Sequence, residues 1–426
     1  MDISEIISFL VQKCTKNRHK GKHNQSYQYI VLVLRTFNKD INNFNFDGIP
    51  SQYYAYVYKL LEEFTIIGFY LNRKKEGIRI MDKLLLDYKT PFNIINKGQI
   101  ENNQRYYMVP LDGIAKNKKR IQIKCDPDYI ETNPSIIRVT GGFIMNCRTV
   151  NYGVKPGGIY YSRSPDGIVN TKNYILRLDE SFNILSQTEI IDQSVIKRHA
   201  NNVIGLEDVI IFEYHGKLWF TCTTLDTTPK HAQISLGSLT LEDTFINTSK
   251  FVVRDLRPIN LLDPNRDEKN WLHFIQDDKI MFVYSYSPTI VRELTDGTSV
   301  NADTKLFKSS PTLLNFSRFR GSGGPLKFII NDQEYWLIVI HEVSWCGDKS
   351  RIYTHRFVLF NSNFEIVKIS DPWYFREHGI EFCRSICDFN ESIVLTCGLK
   401  DSEAWCYVLE KSKIIELLRD LNDYVF

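Results

Sequence analysis

The chain has no CxxC pair, no run approaching the roughly eighteen apolar residues of a membrane span, and almost no net charge. Its nine cysteines are an odd number scattered over 426 residues, with Cys383 and Cys387 the closest two. That argues against a disulfide framework and a zinc site, and predicts free thiols in a reducing cytoplasm. Lys and Arg total 53 against 50 Asp and Glu, a formal charge of +3. Such neutrality argues against a protein whose main task is to coat nucleic acid or an anionic membrane. The start, Met1-Asp2-Ile3-Ser4-Glu5, has acids where a secretory leader needs cations. No apolar core follows, which again predicts a cytoplasmic location.

What is present is ordinary for a globular protein in hydrophobic content (43%) and charge (24%), which excludes disorder and collagen-like structure. The aromatic share is high: 23 Tyr, 26 Phe and 6 Trp make up 13% of the chain. With frequent Ile, Val and Thr, this favours strands. Periodicity divides the chain in two. Over residues 1–105 the apolar residues recur at helical spacing, as in Ile6, Ile7, Leu10 and Val11, or Tyr54, Val57, Leu60, Leu61 and Phe64. Ser51 is positioned to cap the latter helix. This reads as a helical N-terminal domain of helix hairpins, tetratricopeptide-like in outline, offering a surface for a protein partner. Over residues 106–426, short apolar runs alternate with Gly, Asn, Asp and Pro, for example Ile136–Val139, Val209–Phe212, Tyr335–Ile340 and Ile393–Cys397. About 300 residues of short strands fit a large sandwich, a solenoid or a β-propeller of about five blades. A helix over Lys411–Leu421 closes the chain.

Several polar residues interrupt these strands. Glu207-Asp208 stands directly before Val209-Ile210-Ile211-Phe212, and a tight turn follows at Tyr214-His215-Gly216-Lys217. A solvated turn is the plain reading of such an acidic pair. At a strand end facing a central channel, it could instead hold a desolvated general acid. Arg148 lies inside the run Phe143–Tyr152 and needs a partner there. Lys269-Asn270 precedes Trp271, and His341 ends the strand Trp336–Ile340. Arg320-Gly321-Ser322-Gly323-Gly324-Pro325 is glycine-rich and offers a cradle for an anion, without the spacing of a P-loop.

The order of these pieces resembles the β-mannoside phosphorylase family of glycoside hydrolases and its mannosyltransferase relatives. The likeness runs from about Asn133 to Leu409. Asn133-Pro134 leads to Cys147-Arg148, then come Glu207-Asp208, Gly216-Lys217 and Lys269-Asn270. Gly323-Gly324-Pro325 precedes Trp336–His341, and Glu377-His378-Gly379 precedes Cys397-Gly398-Leu399-Lys400-Asp401. The resemblance implies a five-bladed β-propeller and an inverting enzyme acting on mannoside-type bonds. It implies Asp208 as the single general acid, working through a substrate hydroxyl and therefore expected to have a raised pKa. It implies Arg148, Glu207, Lys269, Asn270, His341 and Asp401 as sugar-binding residues, with no metal or cofactor. Val209 and Ile210 stand where the family has Pro-Arg, and Phe282–Pro288 has no cation where its phosphorylases carry an Arg. Fewer anion ligands favour glycosyl transfer over phosphorolysis, with a nucleotide-sugar or sugar phosphate among the donors admitted. Hydrolysis would need a second carboxylate, for which Asp401 and Glu377 are the matched candidates. Trp219, Trp271, Tyr284, Tyr286 and Trp336 flank the motifs, where sugar-stacking faces are expected.

A different reading is a non-catalytic propeller that binds glycan or protein. A third, nucleic-acid binding, would rest on Lys16–His23 and Lys116–Lys124. Lys16–His23 has no aromatics for base stacking, so solvated faces are the simpler account.

Overall fold

A computed structural model describes residues 2–155, 159–201, 203–243, 249–259, 266–295, 299–300, 307–308, 314–345 and 350–424. The protein is mainly β, with helices gathered at the N-terminal end. No helix among the described residues is long and apolar enough to cross a membrane. The chain forms two compact units: residues 2–109 with the short stretches 314–316 and 419–424, and the rest of the described chain.

The first unit carries the helices Ile3–His19, His23–Thr36, Tyr54–Tyr70, Lys74–Leu86 and Lys97–Gln104. Apolar residues at helical spacing bury one face of each: Ile7, Val11 and Cys14 meet Ile30, Val33 and Leu34, with Leu60, Leu61, Phe64 and Ile67 in the same cluster. The acids at the chain start cap the first helix, where the Asp2 backbone N–H donates to Glu5 Oε2 at 3.3 Å. Ser51 is not the cap expected of it. It lies in a short 3-10 turn, Ser51–Tyr53, and the following helix starts at Tyr54 without a side-chain cap. Two stretches distant in sequence join this unit. Asn315 N–H donates to Leu86 O at 2.6 Å, and Arg419 lies 3.5 Å from the buried Asp82.

The second unit is a series of antiparallel meanders. The first runs Ile130–Val139, Gly142–Val150, Val169–Leu178, Ile184–Asp192. The second runs Glu207–Tyr214, Lys217–Thr224, Gln233–Asp243. The third runs Leu272–Gln276, Lys279–Tyr286, Thr289–Thr295. The fourth runs Arg320–Ile330, Gln333–Trp345, Arg351–Phe360, Ile366–Ser370. The fifth runs Glu381–Phe389, Ser392–Leu399, Glu403–Glu410. Its outer strand pairs with Asn117–Ile121, so the start of the β region closes the last meander. That pairing also accounts for the basic run at Lys116–Lys124. Lys116 reaches Glu410, Lys118 reaches Asp112, and Arg120 reaches Glu131 and Glu403. The closing helix is shorter than expected, Lys411–Leu417.

Several hairpins turn on two residues that both have positive φ: His215-Gly216, Asp277-Asp278, Asn331-Asp332 and Lys400-Asp401. Such turns match the twist of the flanking strands, and Asn, Asp and Gly tolerate that backbone best. The leading strands of the meanders pack side by side. Glu381–Phe389 lies against both Ile130–Val139 and Arg320–Ile330, Glu207–Tyr214 against Ile130–Val139, and Leu272–Gln276 against Arg320–Ile330. The Phe212 and His273 rings, 4.1 Å apart, link the second and third. Apolar side chains fill the space between meanders, as where Phe143, Met145 and Leu176 meet Val394, Cys406 and Val408.

Candidate active site

Four of the five leading strands are broken by a bulge. The register shifts fall between Thr132 and Ser135, Glu207 and Ile210, Gly321 and Gly323, and Cys383 and Ser385. A bulge inserts a residue and re-aims its neighbours. Here the displaced residues include Asn133, Asp208, Ser322 and Arg384. Asn133 and Asp208 have φ of 41° and 50°, and Asn270, just before the fifth leading strand, has 63°. This left-handed backbone is tolerated by short polar side chains and concentrates at functional sites.

These departures converge on a cavity of about 210 Å³. Asp208, Arg148, Glu207, Lys269, Asn270, His341 and Asp401, drawn from distant parts of the sequence, all line it. Asn133, Arg320, Tyr152, Tyr160, Tyr353 and Phe382 complete most of the wall. Arg148 is the hub, only 3% exposed. Its Nη1 donates to Asp208 Oδ1 and its Nη2 to Glu207 Oε1, both at 2.9 Å, while Nε donates to Thr171 Oγ1 at 3.1 Å. Asn133 Nδ2 also donates to Asp208 Oδ1, at 2.9 Å. Lys269 Nζ stands 3.5 Å from the other Glu207 oxygen. Behind them Asn173 Nδ2 holds the Leu206 carbonyl at 2.9 Å, fixing the entry to the acidic pair.

The two carboxyls of the cavity are driven apart. Burial alone would push Asp208 up, but Arg148, Arg384, Asn133 and Lys269 together outweigh it and hold the carboxyl below its usual range. Burial pushes Asp401 up, and Arg148, Tyr160 and Arg351 offset that only in part. The raised pKa expected of Asp208 is thus not found, because cations surround it. Asp208 is the ionised member of the pair and Asp401 the one that keeps a proton to higher pH. His341 is neutral: burial, with Arg320 and Arg384 nearby, lowers its pKa to about 3. Its Nδ1 lies 2.8 Å from Ser322 Oγ. Arg320 lines the cavity with no ion pair or side-chain hydrogen bond among the described residues.

Other expectations are corrected. The glycine-rich stretch is no open cradle. It is the start of the strand Arg320–Ile330, packed on neighbours. A Cβ at Gly321 would fall 2.5 Å from Asn270 O and 2.7 Å from Tyr286 Oη. Gly321→Ala is therefore expected to cost about 1–3 kcal/mol, read as a lower denaturant midpoint. An unchanged midpoint would refute that packing role. Glu377 lies outside the cavity wall, exposed and paired with Lys400 at 2.6 Å. The aromatics flanking the motifs are not sugar-facing either. Trp271 packs on Phe282 and Tyr284 with its Nε1–H on Glu268, and Trp336 packs on Phe274 and Phe364. Trp219 packs on Tyr214, and Tyr286 is buried. The rings on the cavity wall are Tyr152, Tyr160, Tyr353 and Phe382.

Arg384 escapes the sequence reading altogether. It is buried, and it donates through Nη2 to the backbone oxygen of Asp208. An arginine inside the apolar run Phe382–Cys387 is the same signal that singles out Arg148 in its own strand.

No family model matches the chain, and no curated protein does. Among solved structures, a beta-1,2-mannobiose phosphorylase from Listeria innocua is 11% identical, with a TM-score of 0.44 over 71% of this chain and 99% of that one. A mannose phosphorylase from Leishmania mexicana, in complex with phosphate ion, is 11% identical, with a TM-score of 0.43 over 72% and 92%. A GDP-Man-dependent mannosyltransferase from the same organism is 10% identical, with a TM-score of 0.43 over 70% and 91%. Likeness at this level says nothing of this chain's chemistry.

Proposed function

We propose that this chain is an inverting carbohydrate-active enzyme on a five-bladed β-propeller, acting on a mannoside-type hexose, and that it transfers the sugar to an acceptor hydroxyl. One observation carries the reading. Seven residues picked out by motif order, from Arg148 to Asp401, line a single polar cavity with tyrosines on its wall. Its 210 Å³ is below the roughly 300–1,000 Å³ of sites for drug-sized ligands, a size suited to one sugar ring. Five meanders with adjacent leading strands, the last closed by the first strand of the β region, support the propeller.

The direction of the Asp208 shift favours transfer. Cleaving a glycoside requires a protonated acid at the leaving oxygen. Making one from a phosphorylated donor requires a base at the acceptor. Asp208, held ionised by its cations, takes the acceptor proton, through a sugar hydroxyl where it does not reach directly. The acceptor oxygen bonds the anomeric carbon from the face opposite the leaving group. The bond from that carbon to the phosphate oxygen breaks, and its electron pair leaves with the phosphate. Arg320 and Lys269 offer the positive charge that receives it.

The test is a screen of nucleotide-sugars and sugar 1-phosphates with mannose-containing acceptors, followed for product. Product with inverted configuration supports the reading. Saturable sugar binding with no product from any donor would instead establish the non-catalytic binder. Arg320→Ala is expected to raise KM for the phosphorylated donor by about tenfold to a hundredfold, the worth of a charge-assisted contact. KM for the neutral acceptor should hold. Equal effects on both would remove Arg320 from the anion site.

A further inference from the structure

The cavity does not end at its polar floor. In the strand Gln333–Trp345, side chains alternate, so His341, Val343 and Trp345 share one face. His341 and Val343 line the cavity, and the next residue on that face, Trp345, emerges at its edge. Exposure rises along the stripe from 2% at His341 to 68% at Trp345. The neighbouring strand repeats the pattern in register. Tyr353 sits opposite Val343, and Arg351 opposite Trp345. The Arg351 guanidinium lies 5.8 Å from the Trp345 ring and 4.8 Å from the Tyr160 ring. It also donates to Tyr160 Oη, which in turn donates to Asp401 Oδ2 at 3.1 Å. The exposed rim is thereby tied to a carboxyl of the cavity.

Tyr160 comes from the two-stranded hairpin Tyr152–Lys155 and Ile159–Ser162, which pairs with no other sheet among the described residues. That hairpin presents Ile159, Tyr160 and Tyr161 to solvent. Gly153 makes room for it, since a Cβ there would lie 2.6 Å from Tyr161 Oη. A large indole left in water beside a guanidinium and a phenol is a surface that pairs an apolar face with hydrogen-bonding edges. A pyranose ring has the same division, with a C–H face and hydroxyls around its edge.

We propose that Trp345, Arg351 and Tyr160 form a second sugar subsite at the mouth of the cavity, which takes the next residue of an oligosaccharide acceptor. The substrate class is then a mannose-type chain end rather than a free monosaccharide. This rests on the reading of the cavity as a sugar site. Continuity along one strand face, and the hydrogen bonds from Arg351 through Tyr160 to Asp401, select a ligand that spans both.

The experiment is calorimetric titration of the full chain with mannose and with the β-linked disaccharide and trisaccharide. In the wild-type protein, affinity rises from mannose to the disaccharide. In Trp345→Ala, an exposed position, the gain is expected to fall by about tenfold, while mannose binds as before. If Trp345→Ala keeps the whole chain-length dependence, the subsite is refuted and the cavity reading stands. If the wild type binds no member of the series, the sugar reading fails and the subsite with it.

Discussion

Asp208→Asn is expected to lower kcat by about 10²–10⁴-fold, the usual contribution of a positioned acid or base, while the protein keeps its fold and its affinity for mannose. The amide has the size of the carboxylate, and its oxygen still accepts from Arg148 and Asn133, which now meet at Oδ1. What it cannot do is take a proton. Wild-type turnover with a phosphorylated donor should hold on the acid side down to the lowered pKa of Asp208, below the usual carboxylate value of about 3.9. Asp208→Asn should lose that acid limb together with its rate. Steady-state kinetics over pH, with mannose titration as the binding control, make the measurement. Turnover within tenfold of wild type would remove Asp208 from the chemistry. Lost turnover with lost sugar binding would make it a binding residue instead.

The part of this site that was legible in sequence is the part written in short stretches. Glu207-Asp208 stands before an apolar run, Arg148 inside one, and the turn His215-Gly216 announces its hairpin. Each is a local conflict between polar residue and apolar surroundings, and a functional site is where such conflicts are kept. What was not legible depends on which strands become neighbours. The bulges at Asn133 and Asp208 aim both side chains at one point only because two leading strands pack side by side. The low pKa of Asp208 needs Arg384, 176 residues away, against its backbone. The tryptophans near the motifs were assigned to sugar because composition cannot distinguish a ring facing a channel from one filling the space between meanders. Trp271, 3% exposed, does the second. Tyr160, outside every motif, reaches Asp401 across the fold.

The largest stability effect is expected at Arg148. Its guanidinium is almost wholly buried and neutralises two carboxylates, Glu207 and Asp208, which are themselves 14% and 19% exposed. Arg148→Met fills similar space but leaves both acids without that partner. Lys269 at 3.5 Å reaches only Glu207. Breaking a buried pair from one side costs about 3–5 kcal/mol, and the partial exposure of the acids sets the lower end as the expected value. The loss should depend on pH in a defined direction. In the wild type, the folded-state pKa of Asp208 lies below its unfolded value. Its contribution is therefore present above about pH 4 and lost as pH falls through the folded pKa. Without Arg148 the Asp208 carboxyl rises, so the variant no longer has this contribution to lose. The gap in denaturation midpoint between wild type and Arg148→Met should be widest near neutrality and close on acidification. Adding Glu207→Gln and Asp208→Asn to Arg148→Met should recover most of the lost stability, because the charges left unpaired are then gone. A gap that stays constant with pH, or a triple variant no more stable than Arg148→Met, would mean that Arg148 acts by packing alone and that the acidic pair is solvated.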